Sequence, residues 1–191
     1  MLEHRTPLDS VREDQGHSGT AIERLDLHVI SIRDKGLLLL QSASVAAFQE
    51  ALSDVLGLTL PSPQEAAVLN GCALLWLTPA EWLLELPADK TDTVEIALSH
   101  RLGSSLAVVT ELSDALVELE VSGSGAPETL MTGCSLDMRP FSFRAGRVVR
   151  TALAGVPAIV WNPGNPDRFR CLIDRGFAEH FLAWLQGAMP Q

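Results

Sequence analysis

The chain has 191 residues, 47% of them hydrophobic and 20% charged, which suits a buried core in one domain or two small ones. Its formal charge is -10 and its 14 Lys and Arg form no dense run, so the clustered basic surface that nucleic-acid phosphates require is excluded. The longest apolar stretches, "GLLLL" and "CALLWL", fall far short of the ~18 residues that span a bilayer, so no membrane anchor is expected.

The opening "MLEHRTPLDSVREDQGHSGT" alternates charges with turn formers and lacks the apolar centre of a secretory signal, so residues 1–20 read as a flexible arm and 21–191 as the domain. From Leu25 to Arg33, Leu25, Leu27 and Val29 alternate before the parity shifts to Ile30 and Ile32, which predicts a strand with a bulge. A second strand is expected at Leu37 to Gln41. Val45, Phe48, Leu52 and Leu56 recur at three and four residues, with Ser44 as N-cap and Gly57 as terminator, which predicts an amphipathic helix.

Pro61 and Pro63 make "LPSP" a stiff connector. In "LLWLTPAEWLLELP" the Thr78 and Glu81 pair has capping spacing with Pro79 between them, so a short turn separates two strands that carry Trp76 and Trp82. A second helix is expected in "DKTDTVEIALSHRLG", with Val94, Ala97, Leu98 and Arg101 along one side and Gly103 as its stop. "LAVVTEL" and "ALVELEV" then read as strands, the latter with Ala115, Val117, Leu119 and Val121 inward and Glu118 and Glu120 toward water.

"SGSGAPETLMTG" predicts a Gly-rich turn and a short helix ending near Gly133, followed by the loop "CSLDMRPFSFRAGR". Strands follow at "VVRTALA", "PAIVW" and, after the hairpin connection "NPGNPD", at "RFRCLID". Phe177, Phe181, Leu182 and Leu185 stripe a closing helix. Strands in pairs and threes between single helices do not repeat a beta-alpha-beta rhythm, so the expected class is α+β with antiparallel sheets. Each half ends on a strand followed by a helix, and two pseudo-repeated halves, about 21–105 and 106–191, would fit.

Motifs for chemistry are sparse. "SGSGAP" has glycines but neither a P-loop lysine nor a G-x-G-x-x-G fingerprint, and "NPGNPD" lacks the spaced carboxylates of a calcium loop. His4, His17, His28, His100 and His180 show no H-x-x-x-H spacing. Cys72, Cys134 and Cys171 are odd in number and far apart, which fits reduced thiols packed as small apolar groups in a cytoplasmic protein. No catalytic, cofactor-binding or metal-binding residue is assigned. Trp76 and Trp82 fit core positions, while Trp161 beside a Pro-Gly loop and Trp184 off the helix stripe suggest aromatic surface kept for a protein partner.

Three stretches together, "LLWLTPAEWLLELP", "SGSGAPETLMTGCSLDMRPFSFRAGRVVRTALAGVPAIVW" and "FRCLIDRGFAEHFLAWL", resemble the gamma subunit of bacterial heterotetrameric sarcosine oxidase over nearly everything after residue 25. Trp76, Pro79, Glu81 and Trp82 match the first family pattern, in which Thr78 and Ala80 stand for the usual Gly and Asp. Gly133, Cys134, Leu136, Asp137, Arg150, Thr151, Leu153 and Ala154 match the later elements.

The resemblance implies interlocked antiparallel sheets with packed helices, similar to the folate-binding domain of aminomethyltransferase. It implies an accessory, non-catalytic role beside alpha, beta and delta subunits, in a complex that oxidatively demethylates sarcosine and passes the one-carbon unit to tetrahydrofolate. FAD, FMN, NAD, tetrahydrofolate and zinc are expected on those other subunits, with no cofactor in this chain and any folate cleft here vestigial. Related complexes acting on dimethylglycine or N-methylglutamate, and a stand-alone folate-binding protein of one-carbon metabolism, are the alternative readings.

Overall fold

A computed structural model describes residues 20–24, 27–32, 35–103 and 105–188. In chain order the strands are β1 (Thr20–Arg24), β2 (Leu27–Ile32), β3 (Lys35–Ser42), β4 (Ala66–Leu69), β5 (Cys72–Thr78), β6 (Glu81–Pro87), β7 (Ala107–Glu111), β8 (Leu116–Ser122), β9 (Val148–Leu153), β10 (Val156–Trp161) and β11 (Arg168–Asp174). The helices are α1 (Val45–Leu56), α2 (Thr91–Leu102), α3 (Ala126–Met131) and α4 (Ala178–Ala188). The arm read at residues 1–20 lies outside the described residues, apart from Thr20, which opens β1.

The chain divides into two compact units. One is built from the stretch up to Arg33, Ala115–Ala145 and the stretch from Arg150; the other holds Asp34–Asp114 and Gly146–Val149. The first contains a six-stranded sheet in the order β1-β2-β8-β11-β10-β9, and the second a five-stranded sheet in the order β4-β5-β6-β3-β7. Their paired strands run antiparallel, so the α+β class is as expected.

In the five-stranded unit, Leu38, Leu40, Leu74, Trp82, Leu84 and Leu86 point to one face of the sheet and pack against Phe48 and Leu52 of α1 and Val94 and Leu98 of α2. Trp82 is 2% exposed and stacks on Phe48 with ring centroids 4.9 Å apart, so it is core. Thr-Pro-Ala-Glu closes the β5–β6 hairpin as a tight turn, in which the Ala80 N–H donates to Thr78 Oγ1 at 3.3 Å. Helix α1 ends where expected, because Gly57 takes the left-handed conformation at φ 68° that a side chain resists.

The start of α1 differs from the expectation. Ser44 makes no side-chain cap; its own N–H donates to Ser42 Oγ at 3.1 Å, and Val45 is exposed. On α2 the buried side is Thr91, Val94, Leu98 and Leu102, while Arg101 faces outward and pairs with Asp54.

In the six-stranded unit the bulge expected near Ile30 lies one strand earlier, between Thr20 and Ile22 of β1, and the described register of β2 against β8 is unbroken from His28 to Ile32. Val117, Leu119 and Val121 of β8 share a face with Phe169, Cys171 and Ile173 of β11, and all are buried. Phe181, Leu182 and Leu185 of α4 are buried as the stripe predicts, but Phe177 belongs to a separate 3-10 turn, Arg175–Phe177, and is exposed.

Candidate functional site

Among the described residues, the opposite face of the β8–β11 pair carries the densest buried charge. Period-2 alternation puts Glu118, Glu120, Arg168 and Arg170 on one side, and the register sets Arg170 directly across from Glu120. Alternation also led to the expectation that Glu118 and Glu120 face water, and here the structure corrects it: they are 3% and 6% exposed. A solvated face is one way to accommodate strand carboxylates; the other is a neighbouring strand that brings the counter-charge. Arg170 Nη1 donates to Glu118 Oε1 at 2.8 Å and its Nε to Glu120 Oε2 at 2.9 Å, while Arg168 Nη2 reaches the same Glu120 oxygen at 2.7 Å. The signal was available in the sequence as E-x-E at 118–120 matched by R-x-R at 168–170. Ala115, expected inward, is exposed and precedes the strand.

Beside these ion pairs lies a cleft of about 460 Å³ with Leu116, Pro157, Ile159 and Leu172 among its walls and Arg150 and Asp174 as its charged lining. Asp174 is already engaged, because its Oδ1 accepts the Gly176 N–H at 2.7 Å and so caps the turn that leads into α4. Two glutamates held by two arginines, with Asp174 acting as a cap, form an ion-paired framework.

The thiols and imidazoles sit as structural groups. Cys171 is fully buried on the apolar face, and burial, reinforced by the nearby Glu118 charge, pushes its thiol well above the ordinary range. Burial also raises the Cys72 thiol, while half-buried Cys134 has Sγ 3.5 Å from Leu130 O. His180 Nε2 lies 3.1 Å from Ala154 O, and His100 is exposed at the end of α2. Among the described residues no group of three or more His, Cys, Asp or Glu could hold a metal ion. His4 and His17 lie outside them.

The Gly-rich "SGSGAP" is a turn into α3, whose Ala126 N–H donates to Gly123 O at 3.0 Å. "NPGNPD" is the β10–β11 hairpin connection, held by Asn162 Oδ1 accepting the Gly164 N–H and Asn165 Oδ1 accepting the Asp167 N–H. Of the two tryptophans that suggested aromatic surface, only Trp184 is partly exposed. Trp161 is buried, and half-buried Trp184 tilts onto Phe181 with ring centroids 5.3 Å apart.

The residues that carried the resemblance build these supports. A Cβ at Gly133 would overlap Trp184 Cζ2 and lie 2.8 Å from its Cη2, so the absence of a side chain lets the indole lie against the backbone. Ala154 N–H donates to Gly133 O at 2.9 Å from the β9–β10 turn, where Ala154 itself has φ 54°. Asp137 accepts from Arg139 and Ser142 and holds the following loop.

Residues 41–191 match the family described as sarcosine oxidase, gamma subunit. Among curated proteins, the sarcosine oxidase subunit gamma of Corynebacterium sp. (strain U-96) is 32% identical over 143 residues, which cover 74% of this chain and 68% of that one. The subunit gamma of Arthrobacter sp. is 33% identical over 148 residues, 76% and 71% of the two chains. Among solved structures, a chain of heterotetrameric sarcosine oxidase from Corynebacterium sp. U-96, in complex with pyrrole 2-carboxylate, superposes with a TM-score of 0.84 at 28% identity over 98% of this chain and 95% of that one. The glycine cleavage system aminomethyltransferase T from Bartonella henselae shares the fold, with a TM-score of 0.63 at 16% identity over 86% of this chain and 46% of that one. The chain therefore belongs to the sarcosine oxidase gamma subunit family.

Proposed function

We propose that this chain is the accessory, non-catalytic gamma subunit of a heterotetrameric sarcosine oxidase, held in a cytoplasmic complex with alpha, beta and delta subunits. The likeness to a chain of that enzyme over 98% of the present sequence carries the reading. The chemistry of the chain's own groups supports it: the buried charges are matched to one another, Asp174 caps a turn, and Cys72 and Cys171 are buried thiols with raised pKa.

On this reading the oxidation of the sarcosine N-methyl group, the passage of electrons through FAD and FMN to oxygen, and the transfer of the one-carbon unit to tetrahydrofolate all take place on the other subunits. NAD and zinc are held there as well. This chain contributes folded surface to the assembly.

The test is expression of the chain alone and together with the other three subunits, with peroxide formation from sarcosine as the readout. Turnover appears in the four-subunit preparation, the chain is recovered in it at one copy per complex, and the chain alone is inert. Sarcosine-dependent peroxide from the isolated chain overturns the proposal.

A further inference from the structure

The chain has three asparagines, and they differ in the residue that follows. Asn162 and Asn165 each precede a proline, whereas Asn70 precedes Gly71. A proline nitrogen carries no proton to give up, so it cannot close onto the preceding carboxamide. A glycine nitrogen carries one, and glycine has no side chain to hinder the approach.

Asn70 and Gly71 make up the whole connection between β4 and β5. Leu69 pairs with Cys72 as the closing rung, and Asn70 at φ 51° and Gly71 at φ 80° take the left-handed pair of a two-residue hairpin turn, the conformation that selects this dipeptide. Both residues are exposed, and a Cβ built on Gly71 would meet no atom within 4 Å, so the space beside the turn is open. Little holds the turn in place. β4 is a short strand at the edge of its sheet with Val68 and Leu69 exposed, so fraying of its turn end uncovers little apolar surface. That freedom lets the Asn70 backbone rotate until its carboxamide carbon meets the Gly71 nitrogen.

We propose that Asn70–Gly71 is a site of spontaneous covalent modification, at which the Gly71 backbone nitrogen attacks Asn70 Cγ, expels ammonia and leaves a succinimide that water opens to aspartate or isoaspartate. The bond formed is Gly71 N to Asn70 Cγ, and the bond broken is Asn70 Cγ to Nδ2. The Gly71 amide proton leaves with the Nδ2 group as ammonia, and nothing is oxidised or reduced. Water entering at Cγ restores the ordinary backbone with an aspartate side chain. Water entering at the backbone carbonyl routes the chain through Cγ and adds a methylene to it.

The two products differ in consequence. Aspartate adds a negative charge and keeps the turn. Isoaspartate lengthens a turn that fits only two residues, so the Leu69–Cys72 rung and the Lys35 Nζ donation to Gly71 O at 3.3 Å are lost, and the end of β4 loosens. The inference stands apart from the subunit role.

The test incubates the full chain, warm and at mildly alkaline pH, both folded and unfolded in guanidinium, and follows each asparagine by peptide mapping with fragmentation that separates aspartate from isoaspartate. Asn70 should convert in the folded chain at a rate within about 10-fold of the unfolded one, because local fraying is enough to free the turn, while Asn162 and Asn165 stay intact. Chains carrying isoaspartate should show faster amide exchange in β4, and Asn70→Asp should exchange like the unmodified chain. Conversion of folded Asn70 slowed more than about 10-fold would mean that the turn shields its carboxamide, and it overturns the proposal. Conversion of Asn162 or Asn165 at the rate of Asn70 overturns it as well, because neither is followed by a residue with an N–H.

Discussion

Replacing Arg170 by Met tests whether the buried ion pairs on β8 and β11 are a structural requirement. Methionine keeps most of the apolar stem and removes the guanidinium, so the charge is the main thing lost. Arg170 is itself mostly buried, with its side chain 13% exposed, and both glutamates are more deeply buried. Glu120 would keep Arg168 at 2.7 Å, so the larger loss falls on Glu118, whose Oε1 faces Arg170 at 2.8 Å. Removing one partner of a buried pair costs about 3 to 5 kcal/mol, against about 0 to 1 for an exposed pair. For a chain of this size the expected fall in Tm is about 6 to 20 °C. Urea and thermal unfolding followed by circular dichroism measure it. The double variant Glu118→Gln with Arg170→Met removes the buried charge as well and should be more stable than Arg170→Met alone. A loss below about 1 kcal/mol, the level expected for the exposed Arg101–Asp54 pair, would refute the reasoning.

Three further outcomes follow from the packing and from the loop clamp. Trp82→Ala empties the space beside Phe48 and should destabilise the chain by about 3 to 5 kcal/mol in urea unfolding; a change under about 1 kcal/mol would place the indole outside the core. Gly133→Ala drives a methyl into Trp184 and should cost about 1 to 3 kcal/mol, with partial relief from a second Trp184→Phe change; unaltered stability contradicts the packing. The Arg139 hydrogen bonds hold the Asp137 carboxyl well below the usual carboxylate range, so its contribution is present above the unfolded-state value and is lost as the pH falls through the lower folded value. Protection of the Phe143 amide from exchange should therefore persist at about pH 4 and weaken in Asp137→Asn, whereas protection already lost at about pH 4 contradicts the clamp.

Much of the fold was legible because period and punctuation agree. The three-and-four spacing from Val45 to Leu56 and the left-handed Gly57 delimit α1, and alternation from Val117 to Val121 marks β8. The pattern weakens where a strand has little to bury: β4, with Val68 and Leu69 exposed at the sheet edge, gave no signal, and β1 sits in a polar stretch. Glu118 and Glu120 were assigned to water because alternation reports which residues share a face, not whether that face is covered. The counter-charges came from Arg168 and Arg170, about fifty residues away.

Burial within the loop after α3 was hidden for a related reason. Phe141 and Phe143 are two residues apart in one loop, alike in type, yet one is exposed and the other buried. Conversely Trp161, which its neighbouring turn marked as surface, is core. In an irregular loop, contacts made by the turn itself decide burial, here the hold of Asp137 on Arg139 and Ser142, and no periodicity encodes them.

The central claim, that this polypeptide serves a larger oxidase by packing and not by reacting, is tested most directly by sarcosine-dependent peroxide production in preparations of defined subunit content. The account predicts activity that requires the other subunits, and no turnover or tightly held tetrahydrofolate in the purified chain alone. Peroxide formed by the chain in their absence, or micromolar tetrahydrofolate binding to it, would contradict the account.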